Sequence, residues 1–317
     1  MDLKKINKKF SYFIGWLLLT VCSAIIRKTP WRYLYVFARH LGNFGYIIAG
    51  RQRKIALDSL STAFGGQKSP DEIRRIAKDC FIYMAKSGVE LIYMTERPDF
   101  LRQRMQLVGK NILEQALARG KGVILVSAHF GNFPVMLARL SVEGYKVAAI
   151  MRPMKDVKVE KLFLRNREKL SINTVYSQPR KTCVEDSIRA LRENSLLFIP
   201  LDQNFGTAGV FVDFFGRKAA TATGPVVFAQ RTGAAIVPCF IIRQKDDTHK
   251  IVFEPPLELV EGKTEQETIT LNVQKITTII EAYIRRYPAE WGWIHRRWKS
   301  KMKEPAGGVD KQVVNGQ

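Results

Sequence analysis

The run Val123-Ile124-Leu125-Val126-Ser127-Ala128-His129 constrains the fold more than any other stretch of the chain. Its apolar residues continue without alternation, the pattern of a strand buried on both faces. Such a strand needs helices over each side of its sheet, which selects an α/β layer architecture. The run ends at a histidine and gives way to Gly131 and Asn132. Ligands of open α/β sheets bind beyond the carboxyl ends of the strands, so His129 is the best-placed titratable group in the sequence. The plain alternative is a histidine satisfied by its neighbours in a strand-end turn.

The chain around this run alternates in the same way. A helix near 110–119 ends at Gly120, and a strand over 146–151 ends at Arg152-Pro153. A basic helix from Val157 to Leu170 leads into a strand from Ile172 to Tyr176. Thr182 and Glu185 have capping-box spacing for a helix that ends at Asn194. A strand from Leu196 to Leu201 then stops at Asp202-Gln203. Thr223 is placed to cap a helix through Gln230, and a strand from Ala235 to Ile242 stops at Arg243. Strands alternating with helices predict a mostly parallel sheet flanked by helices. If those strands are parallel neighbours, His129, Arg152, Asp202 and Arg243 converge on one edge. The segment from Gly206 to Gly216 lines an apolar pocket, covers the site, or forms a hairpin over the core.

Charge narrows the class of partner. The 317 residues carry a net charge of +22, which implies an anionic partner: nucleic acid, an acidic leaflet, an acidic protein or a phosphorylated substrate. A mean hydropathy of -0.12 excludes a polytopic membrane protein. The four cysteines have no metal-ligand spacing and read as small hydrophobes in a reducing compartment, and no metal site is expected.

Lysines precede an uncharged stretch, residues 10–26, which Arg27-Lys28 closes. Its length falls just short of the ~20 residues that span a bilayer, so it reads as an uncleaved anchor that spans once or lies in the interface. Trp31 to Ile48 continues with aromatic and aliphatic residues and suits an interfacial helix. Ser69-Pro70-Asp71-Glu72 is a capping box that opens a helix with one buried face. A later helix, 267–286, stops at Pro288, and Trp291 to Trp298 interleaves tryptophan with arginine. That composition suits a membrane interface or a surface that stacks bases. The expected organisation is an anchor and interfacial helix over 1–50, one α/β domain over 51–303 and a disordered tail over 304–317.

At His129-Phe130-Gly131-Asn132-Phe133 the sequence resembles the late acyltransferases of lipid A biosynthesis, within the wider lysophospholipid acyltransferase-like superfamily. The resemblance covers roughly residues 10–300. It includes Arg152-Pro153, Arg167-Glu168, Asp202-Gln203, the segment from Gly209 to Gly216, Thr232-Gly233-Ala234, and Trp291 through Lys299. It implies a glycerol-phosphate acyltransferase-like fold and an inner-membrane enzyme whose active site faces the cytoplasm. Such an enzyme needs no cofactor. It moves a fatty acyl chain from acyl carrier protein, or acyl-CoA, onto a hydroxyl of a glycolipid among anionic membrane lipids. No nucleic acid is then expected. His129 becomes the general base, with Arg152 or the Gly131 and Asn132 amides stabilising the oxyanion. Arg152, Arg167 and Arg243 become grips for phosphate, and Gln203 a substrate contact.

One position departs from the family pattern. The family places Glu or Asp after four residues that follow the histidine, and here that position is Pro134. Proline can neither accept a hydrogen bond through its side chain nor carry charge. Asp202 is the candidate replacement because its strand end is expected nearby. A backbone carbonyl is the second alternative, and loss of acyl transfer in favour of lipid binding the third. A lysophospholipid or an aminolipid remains an alternative acceptor.

Overall fold

The computed structural model of the protein describes residues 17, 20–154 and 156–302. Residues 10–16, 18 and 19 of the expected anchor, and the expected tail over 304–317, lie outside the described residues. Among the described residues, no helix is long and apolar enough to cross a membrane.

The α/β reading holds. Seven strands form one sheet in the order β1-β9-β8-β2-β5-β3-β4. They are β1 (Met105–Val108), β2 (Val123–Ser127), β3 (Val147–Met151), β4 (Ile172–Tyr176), β5 (Leu196–Pro200), β8 (Ala235–Arg243) and β9 (His249–Phe253). β8, β2, β5, β3 and β4 are parallel. β9 runs antiparallel to β8 and carries β1 parallel to itself, so the sheet is mostly parallel. β2 is buried along its whole length. Ile124 and Val126 enter one core with Phe240, Ile276 and Trp291, while Val123 and Leu125 enter the other with Met136, Leu140 and Phe198. Two buried faces explain why the strand does not alternate in sequence.

Helix boundaries follow local chemistry. The Ser69 capping box forms: Ser69 Oγ accepts from the Glu72 amide, and the Glu72 carboxylate accepts from the Ser69 amide at 2.8 Å. It opens the long helix Pro70–Met94. The helix Trp31–Ile48 packs on it through Leu34, Ala38 and Gly42. A Cβ at Gly42 would stand 2.5 Å from Ile82 Cα, which fixes how closely the two helices approach. The Thr182 box does not form, because the helix Arg180–Arg192 begins two residues earlier, after Pro179. Asn194 does adopt the left-handed conformation, and its side chain accepts from the Gly122 amide.

Two expectations near the carboxyl end are settled by packing. Val210–Phe214 and Arg217–Thr221 form an antiparallel hairpin, β6 and β7, whose Val210, Val212 and Phe214 enter the core. Trp291, Trp293 and Arg297 are fully buried and therefore meet neither membrane nor nucleic acid, which corrects the surface reading of that segment. Arg297 is held there by the carbonyls of Gln203 and Ala220 and by Thr221 Oγ1. Cys80, Cys183 and Cys239 are buried as expected of small hydrophobes, whereas Cys22 is exposed.

Candidate active site

β2 and β5 are neighbours in register, Ser127 opposite Pro200. His129 and Asp202 each lie two residues beyond that level, so equal extension brings them side by side. His129 Nδ1 donates to Asp202 Oδ1 at 2.8 Å. The other carboxylate oxygen accepts from the Trp291 indole at 2.7 Å. Trp291 reaches this point because Phe130 and Trp291 bridge as antiparallel backbone and the Gly292 amide donates to the His129 carbonyl. The carboxyl-terminal segment thus closes over the histidine loop.

Asp202 is wholly buried, which disfavours its charge, yet its partners prevail. His129, through charge and hydrogen bond, and the Trp291 indole hold the carboxyl at about 2. Burial lowers the His129 pKa, but the Asp202 charge and hydrogen bond outweigh it and raise the value above the ordinary one. An ionised Asp202 only accepts, so neutral His129 keeps its proton on Nδ1 and turns a lone pair at Nε2 toward the cleft. The exposed Gln203 side chain meets that nitrogen at 3.0 Å and His295 Nε2 at 3.2 Å.

The loop after His129 is fixed from below. Gly131 has φ +55, and a Cβ there would stand 2.2 Å from the Ile241 carbonyl oxygen, so both conformation and space demand glycine. Its amide donates to the Glu290 carbonyl at 2.8 Å and is therefore committed, which corrects its expected role as an oxyanion donor. Asn132 is buried, and its side-chain amide donates to the Ser87 carbonyl and to Glu90 Oε2 at 2.8 Å. It anchors the loop through its side chain. Pro134 falls in the first turn of the helix Phe133–Val142, where its fixed φ and missing amide proton cost nothing.

The expected arginines separate. Arg243 is buried and bonds both oxygens of Glu90, the Nη2 bond at 2.9 Å. Tyr35 donates to the same carboxylate at 2.7 Å. A guanidinium sequestered in this way cannot grip a phosphate, so Arg243 is a structural group. Arg167 is paired with Glu160 at 2.8 Å, and Tyr176 donates to that carboxylate too, so Arg167 is likewise committed. Arg152 is exposed at the end of β3. β5 separates β3 from β2, which sets Arg152 two strand spacings, about 10 Å, from the His129 strand. It is not adjacent to the imidazole, and this corrects its expected place at the oxyanion. The arrangement brings together His129, Asp202 and Gln203, with Trp291 and His295 added by the carboxyl-terminal segment. Sequence reasoning assigned neither added residue a place beside His129, because no short-range pattern ties residue 291 to residue 202.

Among the described residues, no group of three or more His, Cys, Asp or Glu is placed to hold a metal ion. What the geometry offers is an imidazole oriented by a buried carboxylate at the mouth of a parallel sheet.

Comparison with known proteins places the chain among acyltransferases. Residues 2–300 match the family described as bacterial lipid A biosynthesis acyltransferase. A lipid A biosynthesis lauroyltransferase of Escherichia coli (strain K12) is 22% identical over 297 residues, 92% of each chain. A lipid A biosynthesis palmitoleoyltransferase of the same strain is 24% identical over 294 residues, again 92% of each chain. A phosphatidylinositol mannoside acyltransferase of Mycolicibacterium smegmatis is 23% identical over 205 residues, 64% of this chain and 66% of that protein.

Proposed function

Because the chain belongs to the bacterial lipid A biosynthesis acyltransferase family, we propose that it moves a fatty acyl chain from acyl carrier protein to a hydroxyl of a lipid A-type glycolipid, with His129 as general base. The observation that carries this reading is the Asp202 bond to His129 Nδ1, which leaves a lone pair on Nε2, facing the exposed Gln203 side chain at the cleft. Asp202 does the work of the carboxylate that the family pattern places at the position of Pro134.

The reaction follows from these atoms. His129 Nε2 takes the proton of the acceptor hydroxyl as its oxygen attacks the thioester carbon. The imidazolium that forms is stabilised by Asp202 beside it. A tetrahedral intermediate forms, with its negative charge on the former carbonyl oxygen. Collapse of the intermediate breaks the carbon–sulfur bond, and the departing thiolate takes the proton from His129. Arg152, exposed on the same sheet edge, reaches a phosphate of the acceptor while the hydroxyl occupies His129.

Charge and surface support the partners. The net charge of +22 suits an acidic carrier protein and a phosphorylated acceptor. Val36, Phe37, Phe44, Ile47 and Ile48 are exposed along the helix Trp31–Ile48, which supports attachment of that helix to a membrane surface. The mannoside acyltransferase relative favours, as a second reading, a different glycolipid acceptor on the same chemistry.

The test is transfer from labelled acyl carrier protein, and separately from acyl-CoA, into a lipid A precursor, with product masses measured. Wild type is expected to form product and His129→Ala to fall by roughly 10²-fold or more. Equal inactivity of both proteins with every donor would leave lipid binding as the function.

A further inference from the structure

At the sheet corner formed by the ends of β3 and β4, positive charge is left over that the fold does not use. Met151 pairs with Tyr176 in register, and the Ser177 amide donates to the Met151 carbonyl at 2.9 Å. Two helices leave from this level, Val157–Lys169 after β3 and Arg180–Arg192 after β4. Tyr176 ties the first of them to the end of β4 through its bond to Glu160. Both helices therefore begin at the edge of the sheet that carries His129. Two and three strand spacings, about 10–15 Å, separate β3 and β4 from the His129 strand.

Acids and bases at this corner have separate fates. Asp156 Oδ1 accepts from the Lys158 amide at 2.8 Å and the Val159 amide at 3.2 Å, so it caps its own helix. Glu160 accepts from the Met154 amide, Arg167 and Tyr176. Both acids between β3 and Lys161 are thus committed. Lys161, Arg165, Arg180 and Lys181 are exposed, and none has an ion pair or a side-chain hydrogen bond among the described residues. Lys161 and Arg165 are four residues apart and share one helix face. Exposed arginines elsewhere do pair: Arg74 with Asp71, Arg102 with Asp99 and Arg285 with Glu281.

Apolar surface lies beside these cations. Met154 and Val157 are exposed, and the connection after β3 lines an open hollow of about 520 Å³ through Pro153, Met154 and Val159. An apolar centre with a polar rim is the anatomy of a protein–protein interface. Two exposed apolar side chains are too few to bury a helix face in lipid, in contrast to the five along Trp31–Ile48.

We propose that this corner docks the acyl carrier protein, with Lys161, Arg165, Arg180 and Lys181 against its acidic side chains and its thioester arm laid along the sheet edge toward His129. Resting on the reading of acyl carrier protein as donor, this gives the donor a place on the molecule. Charge at such a rim speeds association and makes binding depend on salt.

The test titrates the full chain into fluorescently labelled holo-acyl carrier protein and follows anisotropy, which needs no turnover. Lys161→Glu with Lys181→Glu should weaken binding by roughly tenfold or more and flatten its salt dependence. Arg119→Glu with Arg231→Glu makes the same change of net charge at the opposite sheet edge, before β2 and β8, and should leave binding unchanged. In turnover, the first pair should raise the KM for lauroyl-acyl carrier protein by a similar factor, with kcat and the KM for lauroyl-CoA unchanged. A wild type that does not bind the carrier, or equal binding by wild type and the first pair, overturns the proposal. Equal weakening by both pairs does so too, because net charge alone would then be at work. An equal rise in the KM for lauroyl-CoA would assign the corner to the donor's phosphates, and loss of vesicle binding with carrier binding intact would assign it to lipid; either overturns docking. The wider reading fails separately: a wild type that binds the carrier yet transfers nothing from it, or a His129→Ala variant that still transfers, overturns the chemistry and leaves the docking in place.

Discussion

At the scale of the residue, the proposed chemistry depends on the buried Asp202 carboxylate beside His129. Asp202 raises the His129 pKa, and an imidazole must be neutral to take a proton. Activity is therefore expected to rise with pH through a midpoint above the ordinary histidine value. Asp202→Asn removes the charge that raises the value and leaves the burial that lowers it. The acid limb of the rate profile should move to lower pH in that variant, while the plateau falls by roughly 10²- to 10⁴-fold because the tautomer is no longer held. Rate profiles between pH 5 and pH 9 would check both shifts, and an unmoved limb would remove Asp202 from its role.

At the scale of the element, strand order makes the site and a buried ion pair steadies it. Glu90, on the helix Pro70–Met94, bonds Arg243 at the end of β8 and Asn132 at the start of the next helix. Glu90→Ala leaves the buried Arg243 guanidinium with only the longer contact to Asp247 at 3.3 Å, and a loss of about 3–5 kcal/mol of unfolding free energy is expected from denaturant titration. A loss below about 1 kcal/mol would mean that water replaces the pair. β2, β3, β5 and β8 were legible because buried strands read as unbroken apolar runs, and Asp202 was legible as the residue just past one of them. β9 escaped because His249-Lys250-Ile251-Val252-Phe253 mixes charge with apolar residues at the antiparallel flank of the sheet. Arg167 and Arg243 were misread because a strand-end or helical arginine looks the same in sequence whether it faces a cleft or a buried carboxylate. Trp291 and Trp293 were misread for a related reason: tryptophan beside arginine marks an interface only when the tryptophans are exposed, and here they are core.

At the scale of the whole molecule, a basic α/β enzyme presents an apolar helix face and, at the mouth of its sheet, an imidazole oriented by a carboxylate. The helix face is expected to bind anionic vesicles of phosphatidylglycerol and phosphatidylethanolamine. Phe44→Asp with Ile47→Asp should weaken that binding at least tenfold in sedimentation while leaving the fold intact, because both side chains are exposed. Unchanged binding would move the membrane contact elsewhere on the chain. The central claim is that His129 and Asp202 act as one catalytic unit, and a double-mutant cycle on acyl transfer by the full chain tests it most directly. The expected result is that Asp202→Asn, His129→Ala and the double variant each lose at least roughly 10²-fold, with the double no worse than His129→Ala alone. A nearly active Asp202→Asn, or losses that multiply in the double variant, would contradict the account.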